Sequence, residues 1–160
     1  MNERIRDYAS GDEQPVVGLS LRAWAPVLAS LERVLGHEIF VRLHGDWRGY
    51  QERAVRDTLA DATTRVWVAE TERGVAGFVA AKLHPQGRLG EVIMLAVDPN
   101  AQRRGLGTAL TEFATDRLRD AGMTVAMIET GGDPGHAPAR RVYEKANDTA
   151  LPVARYFRAL

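Results

Sequence analysis

The stretch Val97 to Ala109, VDPNAQRRGLGTA, is where residue types and spacing could do chemistry. An apolar run precedes it and an amphipathic helical pattern follows, so Gly105 and Gly107 fall at a strand-to-helix turn. A helix start presents unpaired amides and the positive end of the helix dipole. Glycine there lets a bulky anion reach the backbone with no Cβ in the way, and Arg103 and Arg104 add charge beside it. A diphosphate is the ligand this pattern predicts. Two glycines by themselves would also serve close packing of helix on sheet; strand, proline, paired arginines and helix together favour the anion.

Three phosphate-binding schemes compete for the segment. A Walker loop fails, because no lysine followed by serine or threonine comes after the second glycine. A dinucleotide fold is closer: Gly105 and Gly107 form G-x-G, and Glu129 falls near the end of the next strand, where a ribose-binding acid belongs. Its third glycine position, however, is Leu110, and an antiparallel pattern precedes the unit. The third scheme depends on the elements around the turn.

Those elements follow from periodicity. Ile5 to Tyr8 predicts a short strand, with Ser10, Gly11 and Asp12 as turn and cap. A helix follows through Leu19, Leu21 and Trp24, which Pro26 is expected to kink or end. From Val27 to Ala60 apolar residues recur at helical spacing around an irregular middle at Gly45, Trp47 and Gly49. RVWVAE and GVAGFVAAKL, separated by TERG, predict an antiparallel hairpin. EVIMLAV, closed by Asp98 and Pro99, predicts a central strand buried on both faces. Gly105 to Ala121 predicts a helix ended by Gly122, TVAMIET a second buried strand parallel to the first, and Ala137 to Ala146 a helix with Pro138 in its first turn. The tail LPVARYFRAL is expected to supply a last strand. The sum is an α/β domain with a mixed sheet, antiparallel early and parallel in the middle.

The chain has 160 residues, 45% of them hydrophobic and 26% charged, and no cysteine. That length predicts one domain over residues 1–160. Without cysteine there is no disulfide, no thiolate metal site and no acyl-cysteine intermediate. The 21 basic and 21 acidic residues leave no net field to steer the chain to nucleic acid or an anionic membrane. No apolar stretch approaches the roughly 20 residues that cross a bilayer. The charged start MNERIRDYASGDEQP lacks a signal peptide's apolar run, so a cytoplasmic location is expected.

Gln102-Arg103-Arg104-Gly105-Leu106-Gly107, preceded by Leu95-Ala96-Val97-Asp98-Pro99, resembles the Q/R-x-x-G-x-G/A signature of the GNAT superfamily of acyl-CoA-dependent N-acyltransferases. Ala139 to Lys145, ARRVYEK, is similar to the family's A-x-x-x-Y-E-K helix, and the strand order extends the likeness over nearly the whole chain. The resemblance implies the GNAT fold, acetyl-CoA or another acyl-CoA as cosubstrate, and direct acetyl transfer to a primary amine of a small molecule or peptide. The backbone amides of Arg103, Arg104, Gly105, Leu106, Gly107 and Thr108 would then hold the coenzyme diphosphate. The strand before them would carry a bulge and splay from the next, leaving backbone groups of Leu95, Ala96 and Val97 to pair with pantetheine.

An amine acceptor is protonated near neutral pH, so transfer needs a base to remove a proton and an acid for the departing thiolate. Glu91 matches the position where many GNAT members carry a glutamate base, and Glu129 matches the position used by others. Tyr143 matches the tyrosine that protonates the coenzyme sulfur; a phenol of ordinary pKa, about 10, can reprotonate a thiolate. His136 stands where a coenzyme-contacting asparagine is common, in a glycine-rich loop, Thr130 to His136, longer than the family's usual connection. Asp133 in that loop reads as a turn former. Asn147-Asp148 replaces the family's usual Gly-Phe.

His37, His44 and His84 form no helical pair and join no carboxylate cluster in sequence, so no metal site is expected. Ser10, Ser20 and Ser30 lack the G-x-S-x-G elbow of a hydrolase. Trp24, Phe40, Trp47 and Tyr50, with Glu38 and Asp46, lie in the region that shapes the acceptor pocket in GNAT enzymes. Homodimers are common in the family. A non-enzymatic acyl-CoA sensor and an NAD-binding oxidoreductase are the alternative readings.

Overall fold

The structure is a computed structural model describing residues 3–146 and 149–160. Five strands form one sheet in the order β1-β2-β3-β4-β5. They are β1 (Arg4–Asp7), β2 (Arg65–Thr71), β3 (Gly74–His84), β4 (Leu89–Val97) and β5 (Val125–Ile128). The first four pair antiparallel, and β4 pairs with β5 in parallel, as the two hydrophobic patterns required. Helix α4 (Leu106–Asp120) makes the crossover between β4 and β5.

Alternation along β2 and β3 divides the core into two layers. On one face Trp67, Ala69, Val79 and Ala81 meet Leu106, Leu110, Ala114 and Leu118 of α4. Gly90 of β4 makes this close, since a Cβ there would lie 2.7 Å from the Leu118 methyls. On the opposite face Val68, Phe78, Ala80 and Ala96 pack on Val16, Val17 and Leu19 of α1 (Glu13–Leu35) and on Val55 of α3 (Trp47–Ala60). Helix α2 (His37–His44) joins these two helices, and α5 (Ala137–Lys145) follows β5.

Three expectations need correction. Pro26 does not end α1, which continues to Leu35. Buried residues on both sides of the proline, Leu19 and Ser20 before it and Leu28 and Ser30 after it, hold the helix across the missing amide. Instead Gly36, at φ 78°, closes it, its N–H donating a hydrogen bond to the Glu32 carbonyl at 2.9 Å. Strand β5 is not buried: it is the sheet's edge, and Val125 is 59% exposed. The tail 149–160 forms no strand; Leu151, Val153 and Tyr156 are exposed, and the chain end is held by Arg42, whose Nη1 donates to the Leu160 carbonyl at 2.9 Å. The Asn147-Asp148 departure lies outside the described residues. No described helix is long and apolar enough to cross a membrane.

Candidate active site

A bulge in β4 opens the sheet. Ala80 of β3 pairs with Met94 and Ala81 with Val92, so Ile93 is the extra residue. Pairing of β4 with β5 runs from Leu89↔Val125 to Val92↔Ile128 and stops there. From Ile93 to Val97 no strand among the described residues pairs with the β5 side of β4, which leaves an open edge, the splay that the sequence resemblance implied. The Asp98 amide donates to the Ala76 carbonyl at 2.8 Å, and antiparallel alternation then turns Ala96 toward β3 and the main-chain groups of Leu95 and Val97 toward the opening. Of Leu95, Ala96 and Val97, the first and last turn their main-chain groups away from β3, and Ala96 turns its groups toward it. The Val97 carbonyl also accepts from Gln102 Nε2 at 3.1 Å, which folds the next turn against the strand end.

Asp98 anchors that turn. Its carboxylate accepts from the Asn100 amide at 2.9 Å and from Arg22 Nε of α1 at 3.2 Å. Burial pushes this carboxyl up, but the bonds from Arg22 and Asn100 outweigh it and hold the group below the usual range. Beyond the turn, Gly105 takes φ 83° as the N-cap of α4 and supplies no side chain to the helix amides. Arg103 also adopts a left-handed conformation, at φ 62°. The amides of Leu106, Gly107 and Thr108 thus begin a helix with no side-chain cap, beside Arg103 and Arg104. Donors without a cap, a left-handed glycine and two cations fit a diphosphate.

Helix α5 stands over this turn, for a Cβ on Gly107 would meet Val142 at 3.6 Å. Tyr143 follows Val142 and is half-buried. The loop leading into α5 is built by residues the sequence did not connect. Buried Ser30 of α1 donates to Asp133 Oδ2 at 2.7 Å and accepts from the Gly135 amide at 2.8 Å. Arg140 donates to the carbonyls of Gly131 and Asp133 at 2.6 and 2.8 Å. Asp133 also bonds His136 through the ring Nδ1. It is the turn former the sequence indicated, and it holds the histidine expected at the coenzyme.

The two candidate carboxylates differ in setting. Glu129 lies past the end of β5 with a side chain 81% exposed, 3.8 Å from Arg155. Glu91 lies in β4 before the bulge, 31% exposed, with its Oε2 2.8 Å from His84 Nε2 at the end of β3. His84 thus pairs with one carboxylate, a contact that the sequence alone did not show. The cross-strand register brings the pair together, and no linear motif carries that signal. Among the described residues no group of three or more His, Asp or Glu side chains is placed to hold a metal.

A splayed pair of parallel strands with an uncapped glycine turn at its mouth is the arrangement that the resemblance to the GNAT superfamily implied. Residues 33–147 match the Acetyltransferase (GNAT) family, and the chain belongs to it. Its relatives include a mycothiol acetyltransferase of Saccharomonospora viridis, 32% identical over 158 residues, covering 89% of this chain and 44% of that protein. A mycothiol acetyltransferase of Thermomonospora curvata is 38% identical over 88 residues, covering 55% of this chain and 29% of that protein. The chain thus spans less than half the length of these relatives. In fold it is similar to the aminoglycoside N-acetyltransferase AAC(6')-Iy bound to a coenzyme A bisubstrate analogue, with TM-score 0.68, 14% identity and coverage of 100% and 99% of the two chains. It is also similar to the ribosomal-protein-S18-alanine N-acetyltransferase of Escherichia coli, with TM-score 0.65, 19% identity and coverage of 91% and 76%.

Proposed function

We propose that this chain is an N-acetyltransferase that passes the acetyl group of acetyl-CoA directly to a primary amine. The observation that carries the reading is the free edge of β4 from Ile93 to Val97, which leads straight to the uncapped amides of α4. An extended, amide-bearing ligand that ends in a diphosphate matches both parts. Acetyl-CoA, when bound, supplies an activated thioester. The amides of Arg103 to Thr108 bind its diphosphate, and the Leu95 and Val97 backbone groups orient its pantetheine arm. His136, held by Asp133, flanks the arm from the α5 side. Glu91 supplies the negative charge that favours loss of the acceptor's proton, a role its built-in position supports over exposed Glu129. Tyr143 gives its phenolic proton to the departing sulfur.

The acceptor is a small amine or a peptide N-terminus. The relatives' name favours an amine of the mycothiol series, and the structural neighbours add aminoglycosides and N-terminal alanine to the candidates. The open β5 edge and apolar tail support self-association, and the near-neutral charge balance supports neither nucleic acid nor membrane as a partner. Titration with acetyl-CoA and with NAD, followed by free-thiol release across these amines, tests the reading. Binding of acetyl-CoA with thiol release on one amine is expected. Tighter binding of NAD overturns it in favour of an oxidoreductase, and coenzyme binding with no release in favour of a sensor.

A further inference from the structure

We propose that His84 is the base that takes the acceptor's proton and that Glu91 acts through it as a positioning carboxylate. This rests on the acetyltransferase reading above and changes its proton path. The two side chains come from adjacent antiparallel strands, with His84 Nε2 2.8 Å from Glu91 Oε2. An ionised carboxylate only accepts, so Nε2 carries the ring hydrogen and donates it. That fixes the tautomer and leaves Nδ1 as a lone-pair acceptor. Among the described residues Nδ1 has no hydrogen-bond partner, and the His84 side chain is 47% exposed. Glu91, by contrast, is the less exposed member of the pair.

The location fits the task. Glu91 is two residues before Ile93, where the bulge opens β4, and it shares the α1 and α3 face of the sheet with Ile93 and Met94. The charged neighbours on that face are already paired: Lys82, opposite Glu91 in register, bonds Asp61 beyond the end of α3 at 2.8 Å. On the β5 side Glu91 faces Met127, which is neutral. Glu91 therefore has His84 as its cationic partner when the ring is protonated. In the step itself one N–H bond of the acceptor ammonium breaks, its electron pair stays on nitrogen, and the proton bonds to His84 Nδ1. The product is a neutral amine and an imidazolium whose charge Glu91 balances.

The test compares the wild-type protein with His84→Gln and Glu91→Gln, using acetyl-CoA and the panel amine that gives the fastest thiol release. Coenzyme A titration verifies that each variant is folded and binds. His84→Gln is expected to lower kcat on the order of a hundredfold, as loss of a general base does, with coenzyme affinity unchanged. The amine KM should stay near the wild-type value in His84→Gln, because the loss falls on the proton-transfer step. Glu91→Gln should show a smaller loss of kcat, since its amide carbonyl still accepts the imidazole N–H. Wild-type kcat in His84→Gln overturns the assignment, as does a greater loss in Glu91→Gln, which would make Glu91 the base. Coenzyme binding without thiol release from any panel amine in the wild-type protein overturns the acetyltransferase reading and this inference together.

Discussion

Ser30 and Asp133, far apart in the chain, share a hydrogen bond of 2.7 Å that fastens the loop before α5 to the middle of α1. The same serine oxygen receives the Gly135 amide, and a Cβ on Gly135 would lie 2.5 Å from the Ser30 Cβ. Glycine at 135 is what lets the loop come this close. Removing the hydroxyl leaves a buried carboxylate short of a donor. Ser30→Ala is expected to cost about 1–3 kcal/mol in urea unfolding and to raise amide exchange in residues 131–136. Unchanged exchange there would show that Arg140 alone holds the loop.

Acid sensitivity should centre on Asp12. The Arg6 guanidinium, at 2.7 and 3.0 Å, holds this carboxyl below its usual range, helped by the Ala9 amide at 2.9 Å and opposed by burial. A depressed folded-state pKa stabilises above the unfolded value, about 3.9, and that stability is lost as pH falls through the folded value. Asp12→Asn is expected to lower stability at pH 7 and to flatten its decline below about pH 4. Urea melts between neutral pH and pH 3 measure both; a parallel decline in the two proteins would assign the acid sensitivity elsewhere.

Gly105 joins conformation to binding. At φ 83° an alanine is strained by roughly 1–2 kcal/mol, although its Cβ would meet nothing within 4 Å in the protein. Stability should therefore fall modestly in Gly105→Ala, while coenzyme A affinity falls tenfold or more, because the methyl group stands where the proposed diphosphate would approach. Calorimetric titration alongside thermal melting separates the two effects. Equal losses in both would mean that the turn is structural only.

Tyr143→Phe keeps the half-buried ring and removes the hydroxyl proposed as the acid. Turnover in the thiol-release assay should fall at least tenfold, with coenzyme A affinity within a factor of two of wild type. Equal turnover in the two proteins removes the assignment.

The sheet and its crossover were legible because apolar alternation and the Gly105 turn are local signals. Helix α4, the hairpin of β2 and β3, and the start of β4 lie within a residue or two of where periodicity placed them. Pro26 misled because a proline's local cost yields to burial on both sides of it, and burial is a property of the assembled core. The tail misled for the opposite reason: its apolar residues suit a strand, but β5 is only four residues long and ends at Ile128. A pattern states which residues suit a strand and not whether an edge waits for them.

The sequence by itself determined the family, the glycine turn before α4 and the tyrosine helix, since each rests on residues close together in the chain. Tertiary structure decided that Glu91 lies partly buried against His84 while Glu129 stands exposed. His84 and Glu91 meet through the register of β3 against β4, and Ser30 meets Asp133 through the packing of α1 on the loop before α5. Such contacts depend on the placement of whole elements against one another, for which local spacing carries no signal.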